Sequence, residues 1–285
     1  MLLLARKYRP RGYWDDTILP HAAEIVRSYS TGVTLRQLFY RLVSDPEIDF
    51  RNSDPDYSQL SRRTSDLRRI GAFPRFIDTT RGIEQMWWNE DMGEAIEESV
   101  RSFRLDRSRG QSPLPFVVVE KATLVAQVRD WVDDQTIPVA ALRGYSSETL
   151  DAEVQQFIAG LDRDVRILYL GDLDPEGEDI ERNFRAQTGL DTERLAITPE
   201  QVEEFALPEE PGKSESVRAP AFIAKYGRLF QIEVEALDPD SIRRLVEEAV
   251  AETWDEELEQ GVLVEEDAQR EQGQAFIDGF GEEEA

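Results

Sequence analysis

Two apolar runs near the middle of the chain end abruptly in acidic residues. Residues 116–119 precede Glu120, and residues 167–170 precede a short segment that contains Asp172 and Asp174. Unbroken runs of β-forming residues of this length are typical of buried central strands in a parallel sheet. Because ligands bind at the carboxyl ends of such strands, we expect the three carboxylates to converge there. Hard oxygen ligands suit Mg²⁺, which proteins usually share with phosphate groups, so the pattern predicts a phosphoryl-transfer site.

Strand and helix patterns alternate through the second half of the chain. This alternation predicts an α/β fold in which helices cover a parallel sheet. Besides the two runs above, short apolar segments predict strands at 139–142 and 195–197. Amphipathic patterns predict helices near 122–133, 147–160, 178–187 and 239–253.

The first hundred residues show a different order of elements. A helix is predicted from Asp16 or Thr17 to about Tyr29, and Thr34 is predicted to cap a second helix. Asp54-Pro55 is expected to break the chain before a third helix. The third helix is predicted over residues 57–70, and residues 73–82 are predicted to form a β-wing. Helix, helix, helix and wing is the order of a CAP-like winged helix-turn-helix domain.

The third helix is rich in arginine, which is the side chain that most often contacts nucleic-acid phosphates. In a winged-helix order we interpret this cluster as a DNA-contacting face, and the alternative is an ordinary solvated face. The residues concerned are Arg62, Arg63, Arg68 and Arg69.

Changes in composition divide the chain into four parts. Residues 1–14 read as a basic, aromatic arm, and residues 15–106 as the winged-helix domain. A polar joint opens the α/β domain, which is assigned to residues 107–254. Residues 255–285 are an acidic tail, for which the composition favours either disorder or a mobile helix.

The chain of 285 residues is strongly acidic, with 33 Lys and Arg against 59 Asp and Glu and a net charge of −26. Arginine far outnumbers lysine, and almost all of the negative excess lies after residue 110. Such a surface is typical of proteins from salt-saturated cytoplasm, so we expect a halophilic source, an archaeon or its virus or plasmid. High salt matters because it weakens phosphate contacts steeply.

Several classes of protein are disfavoured by the composition. There is no cysteine, which excludes disulfides and thiol chemistry, and a single histidine does not favour a histidine base. No apolar stretch approaches membrane-spanning length, and the apolar run at the amino terminus is too short for a signal peptide. We therefore expect a cytoplasmic protein without a membrane partner.

The acidic motifs, taken in order with a tyrosine-bearing helix, resemble a known family. A strand-terminal Glu followed by Asp-x-Asp resembles the Toprim domain of topoisomerases, primases and some nucleases. The finer pattern is similar to the A subunit of topoisomerase VI and its relative, the meiotic double-strand-break protein. It spans roughly residues 30–250 and consists of Leu35-Arg36-Gln37-Leu38-Phe39-Tyr40-Arg41, Glu120-Lys121, Arg143-Gly144-Tyr145, and Asp172-Leu173-Asp174-Pro175-Glu176-Gly177.

The resemblance implies a DNA-cleaving and strand-passing enzyme with Toprim and winged-helix domains. Tyr40 would attack a phosphodiester and form a 5′-phosphotyrosyl link. Glu120, Asp172 and Asp174 would hold Mg²⁺, with Glu120 alternatively acting as general acid-base on the leaving 3′ oxygen. Arg36 lies one helical turn before Tyr40, so it could stabilise the phenolate and bind the scissile phosphate.

Further partners follow from the same resemblance. Lys121 and Gly144 would contact double-stranded DNA, and the family's use of tyrosine and Toprim from different subunits implies a homodimer. The complete topoisomerase also needs an ATPase B-type subunit, and no P-loop is visible in this chain. The chain is compact, so it resembles a stand-alone "mini-A" relative.

Three alternatives stay open at the level of the sequence. Tyr40 is also compatible with a core aromatic position, which would leave a Toprim nuclease that uses water. Asp174 also fits an Asp-Pro-x-Gly turn that caps the following helix. Finally, the chain could be a non-catalytic DNA-binding regulator that uses only its winged helix.

Overall fold

The computed structural model describes residues 10–78 and 88–283, which form an α/β fold. A π-helical turn, Trp14–Ile18, leads into the first helix, and a short 3-10 helix, Val234–Ala236, precedes the helix that begins at Pro239. The strands are β1 (Leu114–Val119), β2 (Val139–Ala141), β3 (Val165–Leu170) and β4 (Thr192–Ala196). The helices are α1 (Leu19–Ser28), α2 (Leu35–Ser44), α3 (Asp54–Arg69), α4 (Met92–Arg101), α5 (Ala122–Val132), α6 (Glu148–Ala159), α7 (Pro175–Thr188), α8 (Pro199–Glu204), α9 (Ala219–Tyr226), α10 (Pro239–Ala251) and α11 (Glu256–Glu283).

The four strands are parallel and lie in the order β2-β1-β3-β4, which confirms the predicted parallel sheet covered by helices. Val119 pairs with Leu170, so β1 and β3 end side by side. Successive side chains of a strand point to opposite faces. Accordingly, Val117 and Val119 belong to one buried cluster, whereas Phe116 and Val118 belong to another on the opposite face.

The amino-terminal helices pack on one face of this sheet. Leu38, Leu42 and Leu60 share a continuous apolar core with the β1 and β3 residues of that face. Thr34 caps α2 in a reciprocal capping box with Gln37, as the sequence predicts for the cap. The α2 helix is therefore held firmly against the α/β core.

The start of α3 differs from the sequence prediction. Asp54-Pro55 does not break the chain, because Ser53 caps the helix and Pro55 lies in its first turn. Proline is tolerated there, since the first N–H groups of a helix have no intrahelical acceptor.

The predicted β-wing lies only in part within the described residues. Residues 73–78 contain no strand, and residues 79–82 with Arg81 lie outside the described ranges. Most of the predicted basic arm, residues 1–9, also lies outside them. The three helices that precede the wing are present, and the wing itself stays a prediction.

The acidic tail forms the 28-residue helix α11, so the alternative of a disordered tail is wrong. The reason is a buried anchor in its middle. Glu266 is 1% exposed and accepts hydrogen bonds from Arg107 Nη2 at 2.8 Å, Arg270 Nη2 at 2.6 Å and the Leu105 N–H at 2.9 Å. These contacts tie the tail to the joint between the amino-terminal helices and the sheet.

No helix within residues 10–78 and 88–283 combines the length and the apolar character that a membrane crossing needs.

Replacing Glu266 by Gln should lower the free energy of unfolding by about 2 kcal/mol, because two arginines lose a charged acceptor in a buried site. Hydrogen bonds from Arg107 hold the pKa of Glu266 down to about 2, so its contribution is present above pH 4.5 and is lost as the pH falls toward 2. Chemical denaturation at pH 7 and pH 3 measures both effects.

The neighbouring Glu265 provides a matched control. It forms an exposed pair with Arg109, so Glu265→Gln should leave the stability nearly unchanged. Equal effects of the two substitutions would contradict the role of Glu266 as an anchor.

Candidate active site

The site lies at the point where the strand order reverses. The chain moves from β1 to β2 on one side and from β3 to β4 on the other, so a crevice opens between the ends of β1 and β3. Glu120 follows β1, and its Oε2 accepts a hydrogen bond from the Asp172 N–H at 3.0 Å. Both side chains are buried, so the structure brings the two strand-terminal carboxylates together.

Asp172 is held by partners from three other parts of the chain. Its Oδ1 accepts a hydrogen bond from the Val234 N–H at 2.8 Å, and Lys121 Nζ lies 3.0 Å from its Oδ2. A Cβ on Gly177 would lie 2.4 Å from the Asp172 carbonyl oxygen. The glycine is therefore required for the first turn of α7 to approach Asp172 this closely.

Asp174 caps α7. Its Oδ1 accepts a hydrogen bond from the Gly177 N–H at 2.6 Å, and Pro175 occupies the first turn. The capping interpretation of the Asp-Pro-x-Gly motif is thus confirmed. The cap therefore uses Oδ1 of Asp174.

The environment of the three carboxyl groups disfavours their ionised forms and raises their pKa values. Burial, followed by the charge of Asp172, raises the pKa of Glu120 to about 7. Burial likewise raises the pKa values of Asp172 and Asp174. A cation or a proton near these groups therefore stabilises the folded chain.

The donor set has the chemistry that Mg²⁺ prefers, since it consists of hard carboxylate oxygens. In the described ranges, however, no three acidic or histidine side chains are grouped closely enough to hold a metal ion. Lys121 provides the positive charge at Asp172, and the helix cap takes one oxygen of Asp174. Ion binding would require Lys121 to move away from Asp172.

Tyr40 and Arg36 lie on one face of α2, as their spacing predicts. Arg36 Nη2 donates a hydrogen bond to the Tyr40 hydroxyl at 3.2 Å. Tyr40 is only 3% exposed, and its ring packs edge-on against Phe39. Burial and then the charge of Glu233 raise the pKa of Tyr40, while Arg36 opposes the change.

Glu233 connects the tyrosine to the carboxylates. It accepts hydrogen bonds from Arg36 Nε at 2.7 Å and from Lys121 Nζ at 3.0 Å, and it also pairs with Arg36 Nη2. Because Lys121 also contacts Asp172, a continuous polar network runs from Tyr40 through Arg36, Glu233 and Lys121 to Asp172.

Sequence analysis assigned no role to Glu233 or to its neighbour Glu235, whose Oε2 lies 3.5 Å from Arg36 Nε. A signal was nevertheless present. The two glutamates alternate with Ile232, Val234 and Ala236, all of which are buried. Charged residues inside an apolar segment are seldom buried without a partner.

Two cavities meet at Arg36. The larger, of about 1240 Å³, is lined by two carboxylates, those of Glu120 and Glu235, and by four basic side chains, Arg36, Lys121, Arg129 and Arg143. The smaller, of about 600 Å³, is lined by Tyr40, Tyr57 and several acidic residues. The larger cavity is thus a positively lined cleft on a strongly acidic protein.

Gly144 lines the larger cavity and has a φ of +92°. No atom lies within 4 Å of where a Cβ would be, so its left-handed backbone rather than close packing favours glycine here. The preceding Arg143 also has a positive φ, of +57°.

The predicted DNA-contacting arginines of α3 have two different environments. Arg62 and Arg69 are exposed, and Arg69 pairs with the exposed Asp66. Arg63 contacts Asp15 at 2.6 Å, and Arg68 lies over the Phe76 ring at 4.6 Å. The network described above does not include these four side chains.

No protein-family model matches the chain, and no curated protein matches it. The motifs and the geometry are therefore the basis for any functional assignment.

Glu120→Gln should stabilise the protein above pH 7 by about 3.5 kcal/mol when divalent cations are removed, since one pKa unit corresponds to about 1.4 kcal/mol. The pKa of Glu120 is about 7 in the folded chain, against an ordinary value of 4.5. Between these values the folded state binds more protons than the unfolded state, so wild-type stability falls as the pH rises. Urea unfolding in chelator from pH 4 to pH 8 measures this slope.

The exposed Glu153 on α6 provides the control, and Glu153→Gln should change the stability by less than about 0.5 kcal/mol at every pH. A Glu120→Gln variant that is less stable than wild type at pH 8 would show that favourable contacts outweigh the cost of burying this charge.

Proposed function

We propose that the protein is a Mg²⁺-dependent DNA-cleaving enzyme of the topoisomerase VI A type. The observation that carries this proposal is the polar network from Tyr40 to Asp172, which links the tyrosine helix to the strand-terminal carboxylates. A core tyrosine would need no such connection. The proposal includes the finer fold assignment, a Toprim domain for the sheet and a CAP-like winged helix for the amino-terminal helices.

In the proposed reaction the Tyr40 oxygen attacks a phosphorus atom of the DNA backbone. The Tyr40 hydroxyl gives up its proton to water, the bond from phosphorus to the 3′ oxygen breaks, a 5′-phosphotyrosyl link forms, and the 3′ oxygen takes up a proton. Arg36 already donates a hydrogen bond to the tyrosine hydroxyl, so it is placed to stabilise the phenolate. In the alternative in which Glu120 does not ligate the metal, its carboxyl group has a pKa near 7 and can supply the proton to the leaving oxygen.

Glu120, Asp172 and Asp174 would hold Mg²⁺ once their side chains had drawn together, since they are not grouped closely enough to do so in the structure as it stands. When bound, the ion supplies charge stabilisation to the phosphoryl oxygens. With the ion bound, Lys121 would leave Asp172 and contact DNA, and the Val234 N–H would still orient the Asp172 carboxylate.

The positively lined cavity supports DNA as the substrate. Arg36, Lys121, Arg129 and Arg143 line it together, on a chain whose net charge is −26. Concentration of positive charge in one cleft raises the local concentration of a polyanion. The exposed Arg62 and Arg69 of α3 are proposed to contact phosphates beyond the cleft.

The assembly of the enzyme is also part of the proposal. The family resemblance implies a homodimer and an ATPase B-type partner. The network, however, joins Tyr40 to the carboxylates within one chain, so the site is connected without a residue from a second copy. A homodimer would then align two cuts on a duplex rather than complete each site.

A second candidate function is a Toprim nuclease in which water attacks the phosphodiester. The burial of Tyr40 and its packing against Phe39 favour this alternative, because a buried phenol is a poor nucleophile. The two candidates differ in whether protein becomes covalently attached to DNA.

Tyr40→Phe should abolish both cleavage of supercoiled plasmid and the protein–DNA adduct, while the fold loses only about 1 kcal/mol for one hydrogen bond. The measurement is a denaturing gel of end-labelled DNA after incubation with Mg²⁺ in molar KCl, with and without protease. Tyr57→Phe is the matched control, since Tyr57 lines the same cavity as Tyr40. This variant should cut DNA at the wild-type rate. Cleavage by Tyr40→Phe at the wild-type rate would favour the water-using nuclease.

Asp172→Asn combined with Asp174→Asn should abolish Mg²⁺ binding in isothermal titration and leave the fold intact. Asparagine is as good a helix cap as aspartate, so α7 should begin at the same residue. The exposed Asp191→Asn variant is the control and should bind Mg²⁺ like wild type. Unchanged Mg²⁺ binding in the double variant would rule out the assignment of these carboxylates.

A further inference from the structure

Glu233 presents a carboxylate to the two cations that are best placed to receive a phosphate. Arg36 approaches it through two nitrogens, and Lys121 Nζ lies 3.0 Å from its Oε2. A guanidinium fork matches the paired oxygens of a carboxylate and of a phosphate equally well. Glu233 therefore occupies the position in which two non-bridging oxygens of a phosphodiester would fit.

The backbone of Glu233 is fixed while its side chain reaches solvent. Ile232 and Val234 on either side are buried, and the Val234 N–H is bonded to Asp172. The Glu233 side chain is 20% exposed, and its partner Arg36 is 45% exposed. The side chain can thus rotate away without any change in the chain around it.

Charge repulsion prevents the Glu233 carboxylate and a phosphate from lying beside Arg36 and Lys121 at the same time. Asp172 and Glu235 already lie beside the same two cations, so a phosphate that entered next to Glu233 would meet a third carboxylate. Like charges brought together at such short range strongly disfavour binding. Arg36 lines both cavities, and Glu233 lines the smaller one, so departure of Glu233 frees the cation at their junction.

We propose that Glu233 is an internal substitute for a phosphodiester, and that the backbone of duplex DNA displaces it from Arg36 and Lys121. This inference rests on the proposed function and adds to it a residue that keeps the phosphate subsite closed until DNA arrives. Since Arg36 also contacts Tyr40, the exchange brings the phosphate next to the tyrosine hydroxyl.

Glu233→Gln keeps the shape of the side chain and removes its charge. We expect this variant to bind a labelled blunt duplex about tenfold more tightly than wild type, measured by fluorescence anisotropy in chelator at fixed KCl. Glu209→Gln is the matched control: Glu209 lines the same cavity and pairs with Arg228, so it makes the same change in net charge. A gain no larger than that of Glu209→Gln would overturn the proposal.

Two further measurements define the ligand and the residue. Combining Glu233→Gln with Arg36→Gln should cancel the gain, because the freed cation is then missing; a gain that persists would overturn the proposal. Titration with inorganic phosphate should show a smaller gain than the duplex does. A gain for inorganic phosphate alone would make this a free-phosphate site and overturn the assignment to DNA.

A second variant keeps the test valid if Glu233→Gln folds poorly. Glu233→Asp retains the charge but shortens its reach to Arg36 and Lys121, and it should bind the duplex with an affinity between those of wild type and Glu233→Gln. Duplex binding at or below the wild-type affinity would count against the proposal.

The result is separable from the cleavage reaction. Tighter duplex binding by Glu233→Gln in a protein that never cuts DNA would retain this inference and remove the proposed enzyme. DNA cleavage by the wild-type protein, with no gain in duplex affinity for Glu233→Gln, would retain the proposed enzyme and remove this inference.

Discussion

The side-by-side ends of β1 and β3 bring two acidic residues together, and the rest of the site is arranged to stabilise them. Their register places Glu120 and Asp172 together in a buried position, where two carboxylates would repel each other and lose hydration. Three interactions compensate for this cost. The Asp172 N–H donates a hydrogen bond to Glu120, Lys121 forms an ion pair with Asp172, and the Val234 N–H donates a hydrogen bond to Asp172. Each compensation comes from a different part of the chain, so the strand ends determine how the helix α7 and the segment before α10 must approach.

The same compensation reaches the amino-terminal helices. Lys121 shares its charge between Asp172 and Glu233, and Glu233 in turn engages Arg36 on α2. A buried hydrogen bond between Gln37 Nε2 and Gln127 Oε1, at 3.0 Å, fixes α2 against α5. The position of Tyr40 relative to the carboxylates is therefore set by packing as well as by charge. Buried polar contacts of this kind hold a site in one geometry, which loops alone seldom achieve.

Much of the fold could be predicted because its signals are local. Apolar runs marked β1 and β3, and Thr34 marked the start of α2. The role of Glu233 could not be predicted, since it depends on Arg36, which lies 197 positions earlier in the chain. The tail is a similar case. Its composition resembles that of a disordered segment, but Glu266 finds Arg107 at a separation of 159 positions. Long-range ion pairs leave no periodic trace in a sequence, so they become visible only in the folded chain.

The anchoring of α11 also determines where its many acidic residues are displayed. Gln111, which lies just before β1, donates a hydrogen bond from its Nε2 to the Asp255 carbonyl oxygen. The helix α11 therefore starts near the amino-terminal end of β1, which is the end opposite to Glu120. A helix of this length extends about 40 Å, and the strands separate its start from the crevice by about 20 Å. In dilute buffer the acidic side chains of this helix repel a polyanion from the surface that they cover. At molar salt the Debye length shrinks to about 3 Å, and this repulsion is largely screened.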